Sequence, residues 1–424
     1  MRRLIWFILF TGLQSLSQAI VFQDNGSIIT GIVTDVKGSP LAGAGITIEN
    51  TLLGVYADSD GNYALPGLKD GDYLLRFSYV GYESQFHEVL LKGDTVLNIV
   101  LIAKSIMTEE VFVNATRAGK YSPMTYSTIT RDDISKNNIV QDIPYLLNYT
   151  PSLVVSSDAG TGVGYTYINI RGTDVKRINV TIDGIPVNDA ESHGVWWVDL
   201  PDLASSAENI QVQRGVGTST NGAGAFGATI NFQTTRLNRE PYAEVNSSYG
   251  SFNTSKNTVN FGTGLINEKF AIDARLSKIW SDGYIDRAFS DLKSFYLSGT
   301  LYSESSLLKV IVFSGVEHTY QAWSGVPKDS LTTNRTFNPY NYNNETDNYW
   351  QDNYQIHYSK DINSDLHTDV AVHYTKGKGY YENSESGKNF STFNLPDAVF
   401  NDDTITISDF ITQKWLDNDF FGFT

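Results

Sequence analysis

The 424-residue sequence contains no cysteine. A disulfide framework, a thiolate nucleophile and a cysteine-ligated metal are all excluded, and an N-terminal lipoprotein anchor is not expected. Basic residues are scarce: 31 Lys and Arg against 47 Asp and Glu leave a formal charge of −16. With no basic patch to neutralise phosphates, nucleic acid is a poor partner class; solubility accounts for most of the acidity. Long apolar runs are missing too. No stretch approaches the roughly 20 residues that take a helix across a bilayer, so entry into a membrane would require a closed barrel. The six histidines (His87, His193, His318, His357, His367 and His373) show no H-E-x-x-H spacing, and no G-x-S-x-G elbow is present. A secreted enzyme therefore has no motif behind it. His367 and His373 share one strand-like segment and read as wall residues, not as a metal site.

Aromatics are plentiful, with 25 Tyr and 22 Phe. Such residues suit strands and also form the girdles of membrane barrels. The length allows two or three domains at about 150 residues each. Residues 1–19 read as a secretory signal: Arg2 and Arg3, an apolar core at 4–10, and Ser17-Gln18-Ala19 as a small-x-small cleavage site.

Residues 28–102 read as a small all-β domain. Candidate strands at 28–33, 45–49, 61–65, 73–80, 83–91 and 96–101 are separated by Lys37-Gly38-Ser39-Pro40, Asp60-Gly61, Asp70-Gly71 and Lys92-Gly93-Asp94. Strands spaced this closely predict a sandwich. Asp58-Ser59-Asp60-Gly61-Asn62 invites a calcium reading, but an EF-hand loop starting there needs Glu where Lys69 stands. A turn feeding the next strand is preferred. The segment resembles the carboxypeptidase-regulatory-like domain in Gly31-Ile32-Val33-Thr34-Asp35, Asp58-Ser59-Asp60-Gly61-Asn62-Tyr63 and Phe77-Ser78-Tyr79-Val80-Gly81-Tyr82.

The stretch 168–235 organises the rest. It runs through Ile168-Asn169-Ile170-Arg171-Gly172, Ile182-Asp183-Gly184-Ile185-Pro186-Val187 and Glu208-Asn209-Ile210-Gln211-Val212-Gln213-Arg214-Gly215, then glycine-dense 217–227 and Ala228-Thr229-Ile230-Asn231-Phe232. Short apolar runs alternating with Gly, Asp and Pro predict short strands joined by tight corners. Gly222-Ala223-Gly224-Ala225-Phe226-Gly227 matches the dinucleotide fingerprint as a string, but its continuation is strand-like, and a helix must follow for that chemistry. Upstream, 130–149 is predicted helical. Thr130 to Asp133 gives a loose capping box, Ile139, Ile143, Leu146 and Leu147 share a face, Pro144 opens a second short helix and Pro151 ends it.

This order of motifs resembles the plug domain of TonB-dependent outer-membrane receptors of the Bacteroidetes type. The resemblance implies a mainly β fold: an N-terminal β-sandwich (28–103), a linker with a TonB box (104–118), an α+β plug (119–236) and an incomplete antiparallel transmembrane β-barrel (241–424). The TonB box would be Glu110, Val111, Phe112, Val113 and Asn114, an extended segment able to add as a strand to a partner sheet; an ordinary linker or a last sandwich strand is the plain alternative. The implied partners are TonB, with ExbB and ExbD in the inner membrane, outer-membrane lipid and an extracellular small-molecule ligand; no cofactor is expected. Arg171, Arg214, Asp183 and Glu208 are charges among apolar strands, tolerable only if paired or solvated. By the resemblance they latch the plug to itself and to the barrel wall. The loop 188–200 resembles that of ferric-citrate-type receptors, which makes Ser192, His193, Trp196 and Trp197 candidate ligand contacts; packing of both tryptophans on the inner wall is the equal alternative.

Beyond 241, segments at 243–249, 256–262, 270–277, 293–300, 308–316, 353–359 and 365–375 have the length and alternation of outer-membrane strands. Residues 321–349 and 377–403 read as long external loops. The span holds roughly eight strands. A barrel of that size is filled by its own side chains, whereas the receptors it resembles have about 22 strands. The sequence therefore reads as the plug plus the first third of a barrel. The expected cargo is a ferric siderophore or ferric citrate; a SusC-type glycan, cobalamin, or a secreted adhesion role for the sandwich are the alternatives.

Overall fold

The computed structural model describes residues 26–51, 53–79, 82–102, 117–119, 122–217, 225–234, 237–267, 269–303, 305–363 and 366–424. The expected signal (1–19), the TonB box (110–114) and most of the glycine-dense run lie outside them. The chain divides into two compact units, 1–105 and 106–424. The fold is mainly β, and no described helix is long and apolar enough to cross a membrane.

The first unit holds β1 (Ser27–Asp35), β2 (Gly45–Ile48), β3 (Gly54–Tyr56), β4 (Asn62–Leu68), β5 (Gly71–Ser78), β6 (Gln85–Leu91), β7 (Thr95–Val96) and β8 (Ile99–Leu101). One sheet pairs β1 with β4, β7 and β8; the other has the order β3-β2-β5-β6. They share a core of Ile29, Val33, Ile46, Leu75, Phe77, Leu91 and Leu101, the sandwich expected. The segment 96–101 is split in two. Leu97 crosses against β1 at Gly31, where a Cβ would stand 1.9 Å from the Leu97 carbonyl oxygen, and the Asn98 side chain accepts the Ile32 amide at 3.1 Å. The Asp58 carboxylate accepts from the amides of Asp60 and Asn62, both at 2.9 Å, and so closes a turn.

The second unit opens with β9 (Thr125–Thr130), α1 (Arg131–Asn137), α2 (Ile143–Leu146), β10 (Leu153–Ser157), β11 (Thr166–Ile170), β12 (Ile178–Ile182), β13 (Ile185–Pro186), β14 (Asn209–Arg214) and β15 (Ala228–Gln233). Five strands form one mixed sheet, β13-β12-β15-β14-β9, while β10 and β11 pair separately. The Thr130–Asp133 capping box is present. Helix α1 stops at Asn137, so Ile139 is 62% exposed and off the buried face; Ile134 takes that place beside Ile143, Leu146 and Leu147. The glycine run leads into β15, a strand of the sheet. Alternation in β12, β14 and β15 gives one apolar face (Val180, Ile210, Val212, Ile230, Phe232) and one buried polar face. Thr181 donates to Asn231 at 2.6 Å there, and Gln213 to Gln211 at 3.0 Å.

An eight-stranded antiparallel wall follows. It consists of β16 (Tyr242–Gly250), β17 (Thr254–Gly262), β18 (Phe270–Ser281), β19 (Ser290–Tyr302), β20 (Ser306–Tyr320), β21 (Thr346–Asp361), β22 (His367–Asn389) and, after the hairpin of β23 (Ala398–Phe400) and β24 (Asp403–Ile405), β25 (Ile407–Phe423). Its edges are β16 and β25. The strands run from 9 to 23 residues, longer than the apolar segments suggest. The expected loop at 377–403 is partly strand: 377–389 continues β22. There Gly377 and Gly379 make room for Tyr349, whose hydroxyl would lie 1.8 Å from a Cβ at Gly377. Backbone pairing persists where the apolar alternation has faded, and alternation was the only sign of these strands in the sequence. The long connections 321–345 and 390–406 leave one end; 263–269, 303–305 and 362–366 turn at the other. In β20, Leu307, Lys309, Ile311, Phe313 and Glu317 are buried while Leu308, Val310 and Val316 are exposed. The inward set packs on the plug: Tyr296, Ile311 and Phe313 join its core.

Candidate functional site

The plug is fastened to the wall by two buried ion pairs. Asp183 and Gly184 both have positive φ, 47° and 83°, the Asp-Gly pair a tight hairpin turn between β12 and β13 requires. The Asp183 carboxylate accepts from the Thr234 amide at 2.8 Å and the Thr234 hydroxyl at 2.6 Å. Its Oδ2 meets Lys309 Nζ of β20 at 3.0 Å, with 2% and 1% of the two side chains exposed. Burial alone would raise its pKa, but Lys309 and His357 outweigh it and hold the carboxyl below the usual value.

The second pair uses Asp202, in the left-handed region at φ 55° where the chain enters a single 3-10 turn. Lys256 of β17 reaches its Oδ1 at 2.6 Å. Thr258 and Ser277 donate to Oδ2 at 2.6 and 2.8 Å, and Ser205 to Oδ1 at 2.6 Å. Arg275 of β18 donates to the Asp202 carbonyl. Burial opposes ionisation, yet Lys256 and Arg275 pull the carboxyl down to about 2. Between these points the backbones touch: a Cβ on Gly315 would stand 2.0 Å from the Asp199 carbonyl oxygen.

Of the four expected latch residues, Asp183 bonds the wall. Glu208 lies at the seam, lining a narrow cleft with Arg131, Arg275 and Tyr296. Arg171 and Arg214 do not reach the wall. Arg171 is exposed in the turn after β11, and Arg214 donates to the Pro151 carbonyl within the plug at 3.3 Å. Solvent reaches the exposed Arg171, whereas Arg214 keeps a buried Nε that meets no acceptor among the described residues. Lys256, Lys309, Asp202 and Arg275 were missed. For Lys256, Arg275 and Lys309 the readable sign was a charge in strand alternation on the face opposite the apolar residues; Asp202, in a loop, gave no such sign.

At the long-loop end, the plug loop 187–200 rises into a pocket of about 590 Å³. Asn188 pins the loop, accepting the Val180 amide at 2.8 Å and donating to the carbonyls of Ile178 and His193 at 2.9 and 3.0 Å. Asp189 turns it by accepting the Ser192 amide at 2.6 Å. Ser192 and Trp196 line the pocket. His193 is exposed at φ 60° and is not among the lining residues. Trp197 corrects the ligand expectation: it is 2% exposed in the plug core and packs on Phe232 with centroids 6.3 Å apart. Adjacent residues in extended backbone point opposite ways, so one tryptophan faces the pocket and the other the core.

The remaining lining could not be assembled from local sequence. Tyr165 stands edge-on to Trp196 at 6.2 Å and to Trp323 at 5.4 Å, and Trp323 meets Tyr381 at 5.4 Å. Below the rings lie three buried carboxylates: Asp199 of the plug, Glu317 of β20 and Asp347 of β21. The Tyr165 hydroxyl donates to Asp347 Oδ2 at 2.5 Å, with Glu317 Oε1 at 3.4 Å. Burial first, then Asp347 and Asp189, push the Asp199 carboxyl well above the usual range. Among the described residues no His, Asp and Glu group is placed to hold a metal ion.

A family profile described as the TonB-dependent Receptor Plug Domain matches residues 119–229. The plug segment of this chain is thus that of the TonB-dependent receptors. A second profile, the CarboxypepD_reg-like domain, matches residues 29–113 and so runs across most of the segment read as a TonB box. The TonB-dependent receptor SusC of Bacteroides thetaiotaomicron is 30% identical over 39% of this chain and 17% of its own length. The vitamin B12 transporter BtuB of Vibrio vulnificus is 29% identical over 37% of this chain and 25% of its own. The chain thus spans a quarter or less of these curated relatives. Among solved structures, the closed form of the ferric-catecholate import receptor Fiu of E. coli K12 superposes with a TM-score of 0.53 at 16% identity, covering 74% of this chain and 44% of that one. At that identity the likeness is one of fold, and the fold is that of a receptor plug against barrel strands.

Proposed function

We propose that this receptor chain serves energy-coupled uptake of a small ligand across the outer membrane, with the pocket at the long-loop end as its ligand site. The observation that carries the reading is one of adjacency. Asp199 floors the pocket and Asp202, three residues on, holds the buried contact with Lys256. A ligand pressing on the loop therefore bears on the latch through a single stretch of backbone. TonB, energised by ExbB and ExbD, would grip residues 110–114 and draw on the plug from its other end. Outer-membrane lipid would cover the outward face, where Leu308, Val310, Ile356, Val370 and Val372 are exposed.

The cargo is a compact chelate or other small molecule without strong negative charge. Asp189, Glu191, Asp199, Glu317 and Asp347 line the pocket against one lysine, Lys414. Ferric citrate, itself anionic, is disfavoured by that lining, whereas a neutral or cationic ferric siderophore is not. An oligosaccharide is the second reading, favoured by the exposed Trp196 ring beside Asp189 and Glu191, which can accept sugar hydroxyls. Growth of a strain lacking the receptor, on defined iron sources and on oligosaccharides, separates the two. Loss on a siderophore supports the first and loss on an oligosaccharide the second; unchanged growth on every source removes both. A peptide of residues 107–116 should also capture the C-terminal domain of TonB, and failure in a receptor that still transports would displace the box.

A further inference from the structure

Three carboxylates converge under the aromatic rings of the pocket, and among the described residues none of them forms an ion pair. Glu317 has its oxygens near the Tyr165 and Thr319 hydroxyls, both at 3.4 Å. Asp347 uses Oδ2 to accept from Tyr165. That leaves Asp199 Oδ1 and Asp347 Oδ1, both enclosed and meeting no donor among the described residues. Asp199 is 8% exposed and Asp347 5%, and both line the cavity. The one lysine on the lining, Lys414, sits over the Tyr381 ring at 5.8 Å.

Carboxylates buried this closely repel one another. In a low-dielectric site that repulsion is screened far less than in water. A buried acceptor without a donor adds a desolvation cost of its own. Elsewhere in the same plug each buried carboxylate that bonds the wall has a lysine within 3.0 Å. The latches thus have a lysine on the carboxylate, whereas here the lysine on the lining sits over a ring and, among the described residues, pairs with none of the three carboxylates. A cationic head with several N–H donors would satisfy both orphaned oxygens, and the ring faces of Tyr165, Trp196 and Trp323 suit its alkyl stem and its charge. The volume fits a small molecule.

We propose that the pocket takes a ligand bearing a protonated amine or a guanidinium, seated on Asp199, Glu317 and Asp347 with the aromatic rings around its stem. This rests on the reading of the pocket as the receptor's ligand site. The head donates one N–H to the Asp199 carboxylate and another to the Asp347 carboxylate. Tyr165 keeps its proton and holds Asp347 in place.

Tryptophan emission and calorimetry on the full chain in detergent micelles test this with agmatine as the cationic probe, and citrate, maltotriose and triethylene glycol as anionic and neutral ones. Agmatine should bind saturably at one site and perturb the emission of Trp196 and Trp323. Its affinity should fall at least about tenfold in Asp199→Asn and in Asp347→Asn, the loss of a charge-assisted bond. Nonspecific attraction to an acidic protein would survive either single substitution unchanged, and that result overturns the proposal. Glu317→Gln gives the same reading if an aspartate variant fails to fold. Binding of citrate or maltotriose that Trp196→Ala abolishes, with none of agmatine, leaves the ligand site standing and refutes the cationic class. No binding of any probe removes the site and the class together.

Discussion

Asp183 and Lys309 lie 126 residues apart in sequence and 3.0 Å apart in space, one on a plug turn and the other on the inner face of β20. Thr234 bridges them: its hydroxyl donates to Asp183 Oδ2 at 2.6 Å and lies 3.3 Å from Lys309 Nζ. A charge this deeply buried is stable only while its partner stays in place.

Lys309→Met should therefore destabilise the plug by about 3–5 kcal/mol, because Asp183 is left as an uncompensated buried charge. Adding Asp183→Asn should recover most of the loss. A double-mutant cycle on thermal unfolding in detergent measures the coupling, and additive losses would show that the pair does not hold the plug.

Asp202 sets an acid limit. Its folded carboxyl is held at about 2, below the unfolded value of about 3.9. A depressed pKa contributes stability above the unfolded value, on the order of 2–3 kcal/mol at neutral pH. That contribution should fade as pH drops from about 4 to 2. Protease resistance of the plug across this range should show the loss, and Asp202→Asn should flatten that part of the profile.

Asp199 has the opposite sign. Its pKa is raised in the fold, so stability falls as pH rises from the unfolded value toward the folded one. Asp199→Asn should raise the melting temperature at pH 7 and leave it unchanged near pH 3. A lower melting temperature at pH 7 would mean that the carboxylate is already paired.

At Gly315 the wall backbone lies directly against the plug backbone. An added Cβ would meet the Asp199 carbonyl oxygen at 2.0 Å and Pro201 Cδ at 2.8 Å. Backbone cannot yield as a flexible side chain does, so Gly315→Ala should cost about 1–3 kcal/mol and speed proteolysis of the plug. Gly250→Ala, with nothing within 4 Å of the new Cβ, should stay within about 0.5 kcal/mol of the parent.

Much of the architecture was legible one segment at a time. The Asp183-Gly184 corner, the Thr130–Asp133 capping box and the period-two apolar segments of the wall depend on neighbours within a few residues, and the structure has all three. Strand lengths were underestimated because β22 keeps pairing through Gly377 and Gly379, where side-chain alternation no longer signals it. The helical face was misjudged at Ile139 because α1 ends before reaching it.

The site was legible only in part. Ser192 and Trp196 could be singled out because apolar rings in a polar loop stand out locally. Trp197 could not be told from Trp196, since which ring faces the core is settled by where Phe232 lies. By itself the sequence determined the turns and where most strands lie, because these follow from short-range dihedral preferences and alternation. Tertiary structure alone decided that Lys309 meets Asp183, that Lys256 meets Asp202, and that Asp199, Glu317 and Asp347 share a pocket with Tyr165. Those meetings depend on which wall strand lies beside which plug loop. That arrangement is a property of registers summed over more than a hundred residues and of the burial they impose, which no local pattern encodes.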